Sequence, residues 1–158
     1  MLEKDFLSNW KEVNAVTCSL IKAVPNKKWH CKPFQPRFKS LAWEFSCILS
    51  TRAGYIRGMK AGKLVKSCFV EDNEKIARLD KNQMLKQVNQ TDVIIQKLIE
   101  KSKNKKIYYW GNEREVQTAI SWLLQHEQLH FGKLILYFAK LGLKIPKNLK
   151  VMWGEKYF

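Results

Sequence analysis

Residues 121–149 read SWLLQHEQLHFGKLILYFAKLGLKIPKNL, and the periodicity of this stretch decides the fold. Carried back to Val116, it sets Val116, Ile120, Leu123, Glu127, His130, Leu134, Tyr137 and Leu141 at alternating steps of four and three. That is the spacing of the buried seam of an α-helix. Gly142 and then Pro146 close the element, a helix-stop arrangement. Two of the eight seam positions, Glu127 and His130, are polar. At about 100° per residue His126 lies only about 40° from His130, so both imidazoles and the Glu127 carboxylate fall within the apolar arc. Polar groups placed there need partners, because burying them unpaired costs a few kcal/mol each.

Two imidazoles at i and i+4 can share one metal ion: their Cβ atoms are about 6 Å apart, and each ring nitrogen can reach to about 2 Å from the ion. Zinc, nickel, iron and copper all suit that spacing. The string HEQLH also satisfies the H-E-x-x-H pattern, in which the glutamate acts as general base toward a zinc-bound water. A zinc protease needs a third ligand downstream. After His130 the chain offers no histidine and only Glu155 as an acid, which argues against protease chemistry.

Upstream, the sequence divides into three further amphipathic stretches separated by breakers. The first runs from about Lys4 to Ala23 and stops at Pro25 and Asn26. The second follows a loop with two prolines, with Ser40 as N-cap, and extends to about Gly62; Gly54 and Gly58 weaken it without ending it. Residues 67–83 read best as a long connection. The third helix begins at about Lys81 or Gln83 and ends near Lys101, and a basic turn, NKKIYYWGN, leads to the fourth helix from about Asn112 to Leu141. No run of alternating strands stands out. The expected architecture is all-α, a four-helix bundle forming a single domain over residues 1–158.

With 158 residues and 46% hydrophobic composition, the chain can bury a real core. No apolar run approaches the roughly 18 residues of a membrane span, and the charged N-terminus lacks the apolar segment of a signal peptide, so the expected location is cytoplasmic. Four cysteines without C-x-x-C spacing indicate reduced thiols. The 29 basic residues against 14 acidic ones give a net charge of +15. Between Ile21 and Lys66 the only acid is Glu44, with Trp29, Phe34 and Phe38 among the lysines and arginines. Such a surface attracts anions, nucleic acid among them, but the lysines are spread over every segment in the manner of a solvated surface.

The stretch 121–149 resembles the last helix of the DinB-like proteins, small metal-binding four-helix bundles whose fourth helix carries H-x-x-x-H followed by a glycine, an aromatic residue and a G-x-x-x-P ending. Residues 27–62 are similar to that family's proline-containing loop and second helix, where a Ser or Thr opens the helix and a histidine ligand follows seven residues later. The resemblance implies a site of three histidines with an open position for water or substrate. His126 and His130 match it. Counting seven from Ser40 lands on Cys47 instead of histidine. Three outcomes are open: Cys47 binds as thiolate, Glu44 supplies an oxygen, or the site holds no metal and the histidines bond to Glu44 or Glu127. His30 is expected to be exposed.

The resemblance further implies a divalent metal, zinc or nickel before others, and a reaction in which a low-molecular-weight thiol is added to a small electrophile. In that scheme Glu127 orients a ligand or carries a proton, and lysines around the second helix recognise an anionic thiol. The alternative is a non-catalytic binding protein of the same fold, with a degenerate metal site and a basic face for nucleic acid or a protein partner. A homodimer through exposed helix faces is also expected, with Trp110, Trp122 and Trp153 as candidate contacts.

Overall fold

A computed structural model describes residues 2–102 and 105–153; Glu155 lies outside the described residues. Four long helices dominate: α1 (Leu2–Ala23), α2 (Leu41–Ala61), α4 (Lys81–Glu100) and α5 (Val116–Lys140). α1 packs on α4 and α5, and α2 packs on the same two, so the four close a ring around one core. Trp10, Leu20, Phe45, Ile48, Met84, Val88, Ile120, Phe131 and Phe138 fill that core. Two short helices, α3 (Asn73–Ile76) and α6 (Lys147–Met152), bring the number to six among the described residues. The all-α expectation holds, while the count of four omits these two. No described helix is long and apolar enough to cross a membrane.

Local chemistry explains the helix ends. Ser40 caps α2 by accepting a hydrogen bond from the Trp43 amide at 3.2 Å. Asp80 and Gln83 form a reciprocal capping box at the start of α4, which fixes its first residue as Lys81. At the end of α5 Gly142 takes a φ of 63°. The amides of Gly142 and Leu143 return to the carbonyls of Ala139 and Phe138, the paired bonds of a Schellman motif.

The sequence reading fails at the connections. Residues 112–115, assigned above to the start of the fourth helix, form strand β3 (Asn112–Glu115), antiparallel to β2 (Lys106–Tyr109). β1 (Lys63–Leu64) adds to β2 in parallel, completing a three-stranded sheet in the order β1-β2-β3. The two-residue turn between β2 and β3 has positive φ at both Trp110 (46°) and Gly111 (98°), the requirement of a tight hairpin. Trp110 carries none of the usual turn chemistry for that conformation, so the hairpin was hidden behind a residue that rarely adopts it. Its ring stacks on Phe69 at 6.1 Å, which anchors the turn.

Glycines in α2 admit the sheet. A Cβ on Gly58 would lie 2.2 Å from Leu64 Cδ1 and 3.0 Å from the Lys63 carbonyl oxygen, so β1 rests directly on the helix backbone. The carbonyl cannot move without shifting the strand. Gly58→Ala is therefore expected to destabilise the protein by about 1–3 kcal/mol despite alanine's better helix propensity. Urea denaturation of the variant checks this, and an increase in stability would contradict it.

Candidate metal centre

The facing surfaces of α2 and α5 carry a polar stripe inside otherwise apolar seams. α2 contributes Glu44, Cys47 and Thr51, three and then four residues apart; α5 contributes His126, His130 and Tyr137. Helical spacing makes each set point from one face toward the other helix. His130 is 2% exposed, Cys47 and His126 are half-buried, and the cluster therefore reaches the surface on the Cys47–His126 side.

Nε2 of His126 and Nε2 of His130 are 3.2 Å apart. Cys47 Sγ lies 3.8 Å from His126 Nε2, and Thr51 Oγ1 lies 3.3 Å from the same nitrogen. The three donor atoms of Cys47, His126 and His130 all lie within 4.8 Å of one another. In a tetrahedral zinc site, bonds of about 2.0–2.1 Å to nitrogen and about 2.3 Å to sulfur set ligand nitrogens about 3.3 Å apart and nitrogen from sulfur about 3.6 Å. The His126–His130 and Cys47–His126 separations lie close to these values, so this donor set could hold a thiophilic divalent ion. Nδ1 of His126 is buried with no hydrogen-bond partner among the described residues.

Behind the donors stands a carboxylate. His130 Nδ1 is 2.7 Å from Glu44 Oε2, so the ring donates its Nδ1–H to the carboxylate and directs Nε2 toward the cluster. The other Glu44 oxygen accepts from the Tyr137 hydroxyl at 3.1 Å, which also lies 3.0 Å from the Lys39 carbonyl. Lys133 Nζ is 3.6 Å from Glu44 Oε2. Burial pushes the Glu44 carboxyl up, but His130, Lys133 and Tyr137 together hold it below its usual value. Glu44 thus pairs with a histidine, and Cys47 is the third member of the group that could hold an ion.

The same surroundings shape the thiol. Burial raises the Cys47 pKa, and hydrogen bonds to His126 and His130 outweigh it, leaving the thiol at about 6. His130 moves the other way: burial lowers its pKa, and Cys47 and Glu44 raise it above the usual value. In the metal-free protein the thiol thus favours thiolate at neutral pH. A depressed thiol pKa contributes stability that is complete above the unfolded value near 9.0 and disappears as pH falls through about 6. Alkylation of Cys47 by iodoacetamide should follow the same titration, slow below pH 6 and fast above it. Cys18, whose thiol burial pushes upward, should lag behind. Peptide mapping at successive pH values checks this; equal rates for the two cysteines at neutral pH would contradict it.

Glu127 does not join the cluster. It is fully buried and turned toward the centre of the helix ring, where Arg52 grips it bidentately, Nε to Oε1 at 2.5 Å and Nη2 to Oε2 at 2.8 Å. Thr17 donates to Oε2 at 2.7 Å. The guanidinium also donates to Asn14 Oδ1 at 2.8 Å and the Val88 carbonyl at 3.3 Å, and lies 4.8 Å from the Trp10 ring centroid. The ligand-orienting and proton-carrying roles expected of Glu127 are thus not supported by its contacts: its oxygens are spent on Arg52 and Thr17. Arg52 was missed in the sequence although the signal was there. Leu41, Phe45, Ile48, Arg52 and Tyr55 step by four and three, so Arg52 interrupts the seam of α2 as Glu127 interrupts that of α5. His30 is exposed, as expected.

No family model matches the sequence, and no curated protein matches it. Among solved structures, a DinB-like protein from Bacillus cereus ATCC 10987 superposes with a TM-score of 0.70 at 11% identity, covering 90% of this chain and 95% of that one. A DinB-like protein from Bacillus subtilis superposes with a TM-score of 0.68 at 21% identity, with the same coverage. The chain has the fold of the DinB-like proteins, which bears out the resemblance read from residues 27–62 and 121–149.

Proposed function

We propose that this is a divalent-metal protein of DinB-like fold in which Cys47, His126 and His130 hold the ion, and that it transfers a low-molecular-weight thiol to a small electrophile. The observation that carries the reading is the donor spacing just described, with the Glu44 carboxylate fixing the His130 tautomer. Zinc and nickel suit a donor set of one thiolate and two imidazoles. An ion held by these residues would supply Lewis acidity that lowers the pKa of an incoming thiol.

The chain's own residues supply the rest. Glu44 and Tyr137 lock the His130 ring, and Lys133 adds positive charge on the same side. Thr51 places a hydroxyl beside His126, where it can hydrogen-bond the sulfur of an incoming thiol. In the transfer itself, the thiol sulfur bonds to the electrophilic carbon, the leaving group departs with the bonding pair, and the thiol proton ends in solvent. Arg52 and Glu127 act from a distance by holding α1, α2, α4 and α5 in register.

Zinc- or nickel-loaded protein should accelerate the conjugation of glutathione, cysteine or another common cellular thiol to a chlorinated nitroarene, and His130→Ala should remove the acceleration. No acceleration with any of these thiols would reject the transferase reading. The net charge of +15 favours a second reading, a non-catalytic protein whose basic face binds nucleic acid. That reading requires steeply salt-dependent retention of DNA or RNA, and indifference at moderate salt would remove it.

A further inference from the structure

Outside the metal centre, α5 bears an apolar stripe on its solvent side. Trp122, Leu129 and Leu136 are 51%, 60% and 58% exposed and stand seven residues apart. Gln125, Gly132 and Ala139 complete the same face, since steps of three and four return to one side of the helix. None of these six positions is charged, in a chain whose net charge is +15; Lys133, one turn beyond Leu129, borders the stripe and turns toward Glu44. A Cβ on Gly132 would meet nothing within 4 Å, so the middle of the stripe is open enough to receive a side chain.

We propose that this stripe is the interface of a homodimer in which the α5 helices of two copies pack antiparallel about a two-fold axis at Leu129. Two features point to a second copy. The stripe is symmetric about Leu129: Trp122 and Leu136 lie the same distance, about 10 Å, on either side, so a two-fold sets Trp122 of one copy against Leu136 of the other. The charges beyond its ends are opposite in sign. Glu115 directly precedes α5, with Glu113 before it paired to Lys106 and Arg114 between them, while Lys140 and Lys144 follow the apolar face; Glu115, Lys140 and Lys144 are exposed. Antiparallel pairing therefore brings Glu115 of each copy to Lys140 and Lys144 of the other; parallel pairing would set like against like.

Of the three tryptophans expected to make such a contact, only Trp122 lies on this stripe. Trp110 is stacked on Phe69, and Trp153 follows α6. His126, three residues before Leu129, borders the stripe, so the second copy forms a wall beside the mouth of the metal centre.

Sedimentation velocity of the full chain at micromolar concentrations, with Leu129→Lys alongside, tests the proposal. The wild type should sediment as a dimer, and Leu129→Lys, which opposes two lysines at the axis, should raise the dissociation constant at least tenfold. Because Leu129 is exposed, the variant should keep its circular dichroism and metal content, which separates this test from the fate of the metal reading. Leu129→Cys should cross-link to itself under mild oxidant. Leu136→Cys should cross-link to Trp122→Cys in a mixture but not to itself, its own copies lying about 20 Å apart. A wild-type monomer up to hundreds of micromolar would overturn the proposal. So would a dimer unaffected by Leu129→Lys, or cross-linking of Leu136→Cys to itself.

Discussion

Glu127→Ala should destabilise the protein by about 3–5 kcal/mol, the largest single-residue effect expected outside the hydrophobic core. The substitution leaves the Arg52 guanidinium fully buried with its counter-charge gone. Asn14, the Val88 carbonyl and the Trp10 face remain, but none of them is negative. The magnitude comes from the stranded charge more than from lost contact. Arg52→Met combined with Glu127→Leu removes both charges and should recover most of the loss, because a buried pair replaced by apolar side chains of similar volume is often neutral or better. Chemical denaturation of Arg52→Met, Glu127→Leu and the double variant, alongside Glu127→Ala, completes the required cycle. A loss below about 1 kcal/mol for Glu127→Ala would show that the pair is not closed as described. If Glu127 positions helices rather than moving protons, the folded fraction of the variant should still bind metal at full stoichiometry.

The second large effect concerns the centre itself. His130→Ala should lower zinc affinity by more than about 100-fold, since it removes one of three protein donors and the ring that Glu44 orients. Glu44→Gln should lower it by about 10- to 100-fold without removing a donor, because the amide is a weaker acceptor for the His130 Nδ1 proton. Competition with a chromogenic chelator measures both. An unchanged affinity in Glu44→Gln would mean that the carboxylate does not tune the ring, and equal losses in the two variants would argue that Glu44 is itself a ligand.

The long helices were legible in the sequence because their seams are nearly unbroken and their ends carry strong signals: Ser40, Asp80 with Gln83, and Gly142. The polar breaks in the α5 seam led to His130 and, through its neighbour four residues away, to His126. The same test applied to α2 exposes Arg52, and with it the reason Glu127 is buried. What the seam could not reveal is pairing. Periodicity puts Glu127 and His130 on one arc but cannot say that one turns to Arg52 on α2 while the other turns to Glu44 on the same helix. That choice depends on how far each side chain stands from the α2 axis, a tertiary property.

The sheet was illegible for a different reason. β1 has two residues, and it pairs in parallel with a strand more than forty positions away. No local pattern marks such a pairing, and the one local clue, a tight hairpin, was obscured by Trp110 at a positive φ. Thr51 escaped notice because a lone threonine on a helix carries no signal until an imidazole is found beside it.

The most direct test of the account is metal binding by the untagged protein with a spectroscopic view of the thiolate. Elemental analysis of the wild type should find about one equivalent of zinc or nickel, and replacement by cobalt should produce the near-ultraviolet charge-transfer absorption of a sulfur-bound ion. Cys47→Ala should lose that absorption, and His130→Ala should lose the metal. A wild type that takes up no metal, even with excess ion, or a cobalt form whose spectrum is unchanged in Cys47→Ala, would contradict the Cys47–His126–His130 centre.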